Sequence, residues 1–352
     1  MTRVLIVKTS SLGDVIHTLP AINDAVCAIP DIKFDWIVEE NFSEIPNWNS
    51  DVDQIIPVVL RKWRKNIFRF WFSKEWSEFK KRIGFHRYDV IIDAQGLLKS
   101  AWLGSFADGP RYGFDKFSAR EPLASNFYDH QISVSKQLHA VERTRILFSK
   151  SLGYSLQPSN GKYNLSFGST STGAVVLIHG TTWASKHWPE ESWIKLSGLL
   201  TKANYKVFLP WANEYDRARA LRISKSSGAK VLPKMTLTEI ASFLAESQGC
   251  VSVDTGLGHL SSALNTPTLG IFGPTDPSFT GLYGPNQKNL LSDFPCLCMT
   301  KKCPFSLKSD KSCRGFEGLT ANRVFDEFIR LMNNTILSGK PCSLPTKKES
   351  NK

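Results

Sequence analysis

The sequence predicts an α/β protein made of two Rossmann-like halves, each a mostly parallel sheet, facing a central cleft. Three observations carry this expectation. Short apolar runs alternate with amphipathic helical stretches in both halves, the pattern of parallel sheets with helices on both faces. At 352 residues the chain exceeds one ordinary core and suits roughly two domains of about 150 residues. Around residues 157–172 the composition turns to Ser, Gly, Asn and Thr with little apolar content, which reads as a linker. The expected division is therefore 1–165 and 166–335. The Lys-, Ser- and Pro-rich stretch 336–352 is expected to be a disordered tail.

The elements follow in order. A strand over 4–8 leads into a helix over 15–28 with Leu19, Ile22 and Val26 on one face. Strands over 34–38 and 54–59 come next. A buried strand over 88–93 follows, its Val90, Ile91 and Ile92 consecutive. A helix over 139–152, carrying Val141, Ile146 and Leu147 among basic residues, closes the half. In the second half, strands over 174–178, 206–209, 230–232, 249–253 and 268–272 alternate with helices over 189–203, 214–226, 237–246 and 257–264. Pro189 opens the first of these helices, where a missing N–H does no harm.

Composition narrows the class. Hydrophobic residues make up 41% of the chain, enough for two cores. The formal net charge of +12 points to a polyanionic partner: nucleic acid, anionic lipid or a phosphorylated substrate. No stretch approaches the ~18 apolar residues of a membrane span. The run 4–7 is broken by Lys8 and is too short for a signal-peptide core. Seven cysteines, with Cys27 and Cys250 in apolar patterns, suit a reducing cytoplasm better than a disulfide framework.

Five constellations carry chemistry. In the first, Asp14 sits where a small-residue turn after the first strand enters a helix, the place where open α/β sheets bind ligands. The turn lacks the G-x-G-x-x-G spacing, which argues against a dinucleotide site. A helix cap and a general base taking a proton from a hydroxyl both remain open for Asp14. The second, Thr181, Thr182 and Lys186 after Gly180, gathers hydroxyls and positive charge before a helix N-terminus, where anions bind. The third, Asp254, Thr255, Gly256 and His259, repeats that arrangement; its carboxylate would suit sugar hydroxyls and its amides a phosphate. Two such loops in one half suggest a nucleotide-diphosphate ligand. The fourth, 61–72, sets Trp63, Ile67, Phe70 and Trp71 at helical spacing among bases, as a membrane-surface helix needs. Packing of that stripe on the core is the other reading. In the fifth, Cys296, Cys298, Cys303 and Cys313 could hold zinc but lack the paired spacing of a zinc ribbon, a redox-sensitive loop or ordinary packing being the other reading; Asp51 with Asp53 reads as turn chemistry. No metal and no cofactor are expected.

Segments 8–20 (KTSSLGDVIHTLP), 93–97 (DAQGL), 119–125 (AREPLAS), 139–145 (HAVERTR), 186–191 (KHWPEE), 209–211 (LPW), 232–235 (LPKM), 252–259 (SVDTGLGH) and 273–277 (GPTDP) together resemble the bacterial ADP-heptose:lipopolysaccharide heptosyltransferases. The resemblance runs from the N-terminus to about residue 277 and is nearest to the type that adds the first heptose to Kdo. It implies a GT-B fold, with the acceptor on the first domain and ADP-heptose on the second. It also implies inverting transfer to a Kdo residue of Kdo-lipid A in inner-core biosynthesis, at the cytoplasmic face of the inner membrane, with peripheral association and no nucleic-acid partner.

By the same resemblance Asp14 looks like the catalytic base, and Thr181, Thr182 and Lys186 like diphosphate ligands, with Lys186 aiding catalysis. Asp254, Thr255, Gly256 and His259 look like the donor-sugar and phosphate loop, Glu214 like a ribose ligand and Met235 like an adenine neighbour. Lys62, Arg64, Gln95, Arg120 and Arg143 are the acceptor-binding candidates. Two departures stand out: Ala212 replaces the family's usual Gly, and the cysteine-rich segment is more typical of other heptosyltransferases. The rivals are a heptosyltransferase adding a later heptose and a non-catalytic basic α/β protein that binds membrane or nucleic acid.

Overall fold

A computed structural model of the chain describes residues 1–65, 73–157, 161–168, 172–293 and 314–337. Contacts divide the chain into two compact units, Met1–Ser166 and Phe167–Lys352. The first unit holds a sheet of six parallel strands: β1 (Thr2–Val7), β2 (Ile32–Glu39), β3 (Val52–Val58), β4 (Val90–Asp93), β5 (Arg111–Phe114) and β6 (His130–Ile132). Their order is β3-β2-β1-β4-β5-β6. The run Val4, Leu5, Ile6, Val7 is fully buried because helices cover both faces, so no polar alternation is needed. Leu5 and Val7 pack with Trp76, Phe79 and Leu103 from helices Lys74–Ile83 and Leu98–Gly104. On the other face helices Leu19–Ala28 and Ala140–Leu152 lie side by side, with Phe148 against Phe34.

The second unit repeats the scheme. Strands β7 (Ala174–Ile178), β8 (Lys206–Leu209), β9 (Lys230–Val231), β10 (Gly249–Val253), β11 (Thr268–Phe272) and β12 (Gln287–Leu291) are all parallel, in the order β12-β11-β10-β7-β8-β9. Counted within its own unit, each sheet has the doubly wound order 3-2-1-4-5-6. Val175, Leu177, Val251 and Val253 meet Trp188, Trp193 and Leu196, and the closing helix Ala321–Leu337 adds Val324 and Phe328. Both sheets therefore reverse their direction of growth at one place, between β1 and β4 and between β7 and β10.

Several expectations change. The helix expected over 15–28 is two helices, Leu12–Ile16 and Leu19–Ala28, because Pro20 opens a new N-terminus and the chain turns at His17 and Thr18. Strands β5, β6 and β12 were not foreseen; they are short and partly exposed, so no apolar run marks them. Trp63 is buried, edge-on to Trp76 and Phe79 at 5.9 Å each, and belongs to the core of its unit rather than to a membrane-facing stripe. The remainder of that stripe (Ile67, Phe70, Trp71), the four clustered cysteines and the tail from 338 lie outside the described residues.

Candidate active site

In the first unit the β1 and β4 ends bring together the loops that follow them. Helix Leu12–Ile16 starts from the N-cap Ser11, and Asp14 is its third residue. The Asp14 carboxylate accepts from the Ser11 N–H and hydroxyl, both at 3.0 Å. Asp14 is therefore not the N-cap itself, as a carboxylate opening the helix would be; it closes a capping box from inside the first turn. Its other oxygen receives the Arg120 guanidinium at 2.5 Å, and the Lys8 ammonium lies 3.9 Å away. Burial alone would raise this carboxyl. Lys8, Arg120 and the Ser11 amide outweigh burial and hold it well below the usual carboxylate range.

Lys8 ends an apolar strand and is itself buried, its ammonium donating to the Ala94 carbonyl at 2.7 Å. Burial, only partly opposed by Asp14, lowers it from 10.5 to about 8. Arg143 donates to the Ser118 carbonyl at 2.6 Å and lies over the Phe114 ring. With His17, Gln95 and Thr144 these groups line an open depression of ≈ 360 Å³, part of it solvent. It holds three cations around one carboxylate.

Gln95 lines the opening and also braces the loop behind it. Its carbonyl accepts from the Thr9 and Ser10 N–H groups, and its amide donates to the Ser10 carbonyl. Asp93 braces that loop from below, accepting from Tyr128 (2.7 Å), Ser100 (2.8 Å) and the Gln95 and Gly96 N–H groups. Gly96 has φ +68°, and an added Cβ would meet the Phe114 ring at 3.3 Å, so both its conformation and its neighbours call for glycine. Lys62 is elsewhere, an exposed side chain on helix Leu60–Lys65 paired with Glu75. Arg64 belongs to the same helix, and its side chain lies outside the described residues.

In the second unit the β7 and β10 ends converge likewise. Lys186 meets Asp254 at 2.6 Å and lies over the Trp183 ring. The same carboxylate accepts from the Thr275 hydroxyl at 2.8 Å, and His259 Nε2 is 3.7 Å from its other oxygen. Burial would raise the Asp254 carboxyl; His259 and Lys186 reverse this and hold it well below the usual range. One of its oxygens thus already meets two protein groups, where the sequence suggested sugar hydroxyls. Thr181 donates to the Asp254 carbonyl at 3.2 Å, and Thr182 is exposed beside it. Thr255 is the N-cap residue of helix Gly256–Ala263 without a side-chain cap bond, so the first amides of that helix, at Gly256 and Leu257, are left for another acceptor at this edge. Arg219, buried, ties down both ends of the loop through the carbonyls of His179 and Trp188. Glu214 begins helix Glu214–Ser227 after β8, is largely exposed, and pairs with Arg217. Met235 follows β9 and is half-buried.

Lys8, His17, Asp93, Thr275 and Arg219 were not among the sequence candidates. A charged residue closing an otherwise apolar strand was the available signal for Lys8. The other four are marked by what they hold in the fold, as Asp93 does with Tyr128 and Thr275 with Asp254.

Paired doubly wound sheets, each with a charged cluster at its switch point, define a ligand-handling α/β protein of two units. Comparison with known proteins then makes this specific. The family described as glycosyltransferase family 9 (heptosyltransferase) matches residues 76–308. Lipopolysaccharide heptosyltransferase 1 of Pseudomonas aeruginosa is 51% identical over 311 residues, covering 86% of this chain and 88% of its own. The solved structure of E. coli heptosyltransferase WaaC with ADP superposes with a TM-score of 0.82 at 44% identity, covering 94% of this chain and 100% of that one. WaaC with ADP-2-deoxy-2-fluoro heptose gives 0.80 at 43%, covering 94% and 99%. The chain belongs to glycosyltransferase family 9, the heptosyltransferases, and its two sheets are those of a GT-B enzyme.

Proposed function

We propose that this heptosyltransferase moves L-glycero-D-manno-heptose from ADP-heptose to a Kdo residue of Kdo-lipid A, with inversion and with Asp14 as general base. The observation that carries the acceptor is the charge of the Asp14 depression. Kdo is an acid sugar, and Lys8, Arg120 and Arg143 supply more positive charge than Asp14 neutralises. A heptose acceptor has no carboxylate for them to read, which favours the Kdo step over addition of a later heptose.

In this reading the acceptor carboxylate draws Arg120 away from Asp14. Losing that partner raises the Asp14 carboxyl toward the range of a useful base. Asp14 takes the proton of the attacking hydroxyl, the new C–O bond forms at the anomeric carbon, and the bond to the diphosphate breaks on the opposite face. The electron pair leaves with ADP. Lys186, the Thr182 hydroxyl and the amides of Gly256 and Leu257 meet the growing negative charge. Asp254 holds Lys186 in place, and Thr181 ties the two loops together. Glu214 and Met235 remain the candidates for ribose and adenine. The WaaC structures with ADP and with an ADP-heptose analogue support the donor.

The lipid-linked acceptor sets the work at the cytoplasmic face of the inner membrane, with peripheral association; among the described residues no helix is long and apolar enough to cross a membrane. The test is ADP release with Kdo-lipid A against a heptosylated acceptor. Release with Kdo-lipid A alone supports the reading, and preference for the heptosylated acceptor rejects it.

A further inference from the structure

Large apolar side chains stand exposed beside the Asp14 depression. Phe117 is 73% exposed, Leu123 63% and Leu98 39%. Hydrogen bonds bring their segments to one rim. The Leu98 N–H donates to the Glu121 carboxylate at 2.7 Å, and the Glu121 N–H donates to the Gly96 carbonyl. Ala101 of helix Leu98–Gly104 packs on Ala124 of the turn Pro122–Phe127. Arg120, between Phe117 and Leu123 in the chain, reaches Asp14. The 132–136 segment runs alongside, with the Asp115 N–H on the Ile132 carbonyl and the Val134 N–H on the Ser118 hydroxyl.

The charges of this rim are lopsided. Its carboxylates are engaged: Asp115 by the Phe117 and Ser118 amides, Glu121 by Leu98, Asp129 by Arg111. Lys99, Lys116 and Lys136 are exposed and make no ion pair among the described residues. The Lys116 ammonium sits 4.9 Å from the Phe117 ring centre, so charge and apolar surface share one prominence. Apolar tips ringed by unpaired lysines match an interface whose interior is hydrocarbon and whose surface is phosphate.

We propose that this rim docks on an anionic lipid bilayer. Phe117, Leu123 and Leu98 enter the headgroup region while Lys99, Lys116 and Lys136 pair with lipid phosphates, presenting the Asp14 depression to a lipid-linked sugar. The last clause rests on the acceptor reading above; the docking does not. This places the membrane contact outside Trp63, which the core has taken.

The test is co-sedimentation of the full chain with phosphatidylglycerol-containing vesicles and with phosphatidylcholine vesicles, without donor or acceptor. Wild type binds the anionic vesicles, and the double variant Phe117→Ser, Leu123→Ser binds them at least about tenfold more weakly. The double variant Lys99→Glu, Lys116→Glu also binds more weakly, and raising the salt no longer weakens it to the wild-type extent. ADP release on a deacylated, water-soluble acceptor stays at the wild-type rate in both variants, which shows that they are folded. Undiminished vesicle binding by the Phe117 and Leu123 variant overturns the proposal. So does a wild-type chain that ignores anionic vesicles, or one whose rim variants lose a self-association instead. Because sedimentation needs no sugar, a failed acceptor assay leaves this result readable.

Discussion

Replacing Asp14 by Asn separates the base from everything else the side chain does. The Asn carbonyl keeps the Ser11 contacts that close the first turn. Charge is what disappears, and with it the proton acceptor. General-base assistance is worth about 10²–10⁴ in rate, so turnover should fall by that factor. Donor affinity should not change, because the Lys186 cluster belongs to the other unit. Stability should change little, for a reason that can be worked out. Lys8 is buried and already lowered to about 8, so at pH 7.5 it can shed its proton for only about 1 kcal/mol more than it already costs. That caps the penalty of leaving Lys8 without its carboxylate. Arg120 is half-exposed and water replaces its partner. Single-turnover kinetics at saturating ADP-heptose, with calorimetric titration of ADP and urea unfolding, would read all three quantities. Near-wild-type turnover in a variant that binds ADP normally would refute the base assignment. A collapse of stability by several kcal/mol would refute the argument about Lys8.

Two further outcomes follow from the same geometry. Lys8 should give the fold a pH dependence. Burial makes its charged form unfavourable, so the penalty is fully present below pH 8 and is relieved as the pH rises toward 10.5. Relative to Lys8→Met, the wild type should therefore gain about 2 kcal/mol between pH 7.5 and 9.5 in urea unfolding, and a flat difference would refute it. In the second unit, Lys186→Ala, Asp254→Asn and their double variant should weaken ADP binding by similar factors, because Asp254 acts through Lys186. If Asp254→Asn instead spares ADP and weakens only ADP-heptose, Asp254 serves the sugar directly.

The parts of the site legible in the sequence share one property: each follows an apolar run closely. Asp14 comes soon after β1, Lys186 after β7 and Asp254 directly after β10, and a strand end with small residues is recognisable without a structure. The pairing that gives Asp14 its environment is not local, since Arg120 lies 106 positions away. Gln95 lines the depression, but residue type alone does not show that it also braces a loop. Its amide suits a sugar, yet three backbone groups of the 8–11 loop already engage it. The same holds for Trp63, where helical spacing alone fits a membrane face and a core face equally, and tertiary packing decides. Strands β5 and β6 escaped because strands of only three or four residues need no apolar run; parallel neighbours define them.

Whether the cationic depression around Asp14 reads an acid sugar is decided by comparing heptose transfer from ADP-heptose to Kdo-lipid A with transfer to the same acceptor whose Kdo carboxylate has been amidated. If Arg120 and Arg143 bind that carboxylate, removing its charge should lower kcat/KM by roughly a hundredfold, in line with about 3 kcal/mol for a charge-assisted contact. Equal rates on the two acceptors would contradict recognition of the Kdo carboxylate by these cations.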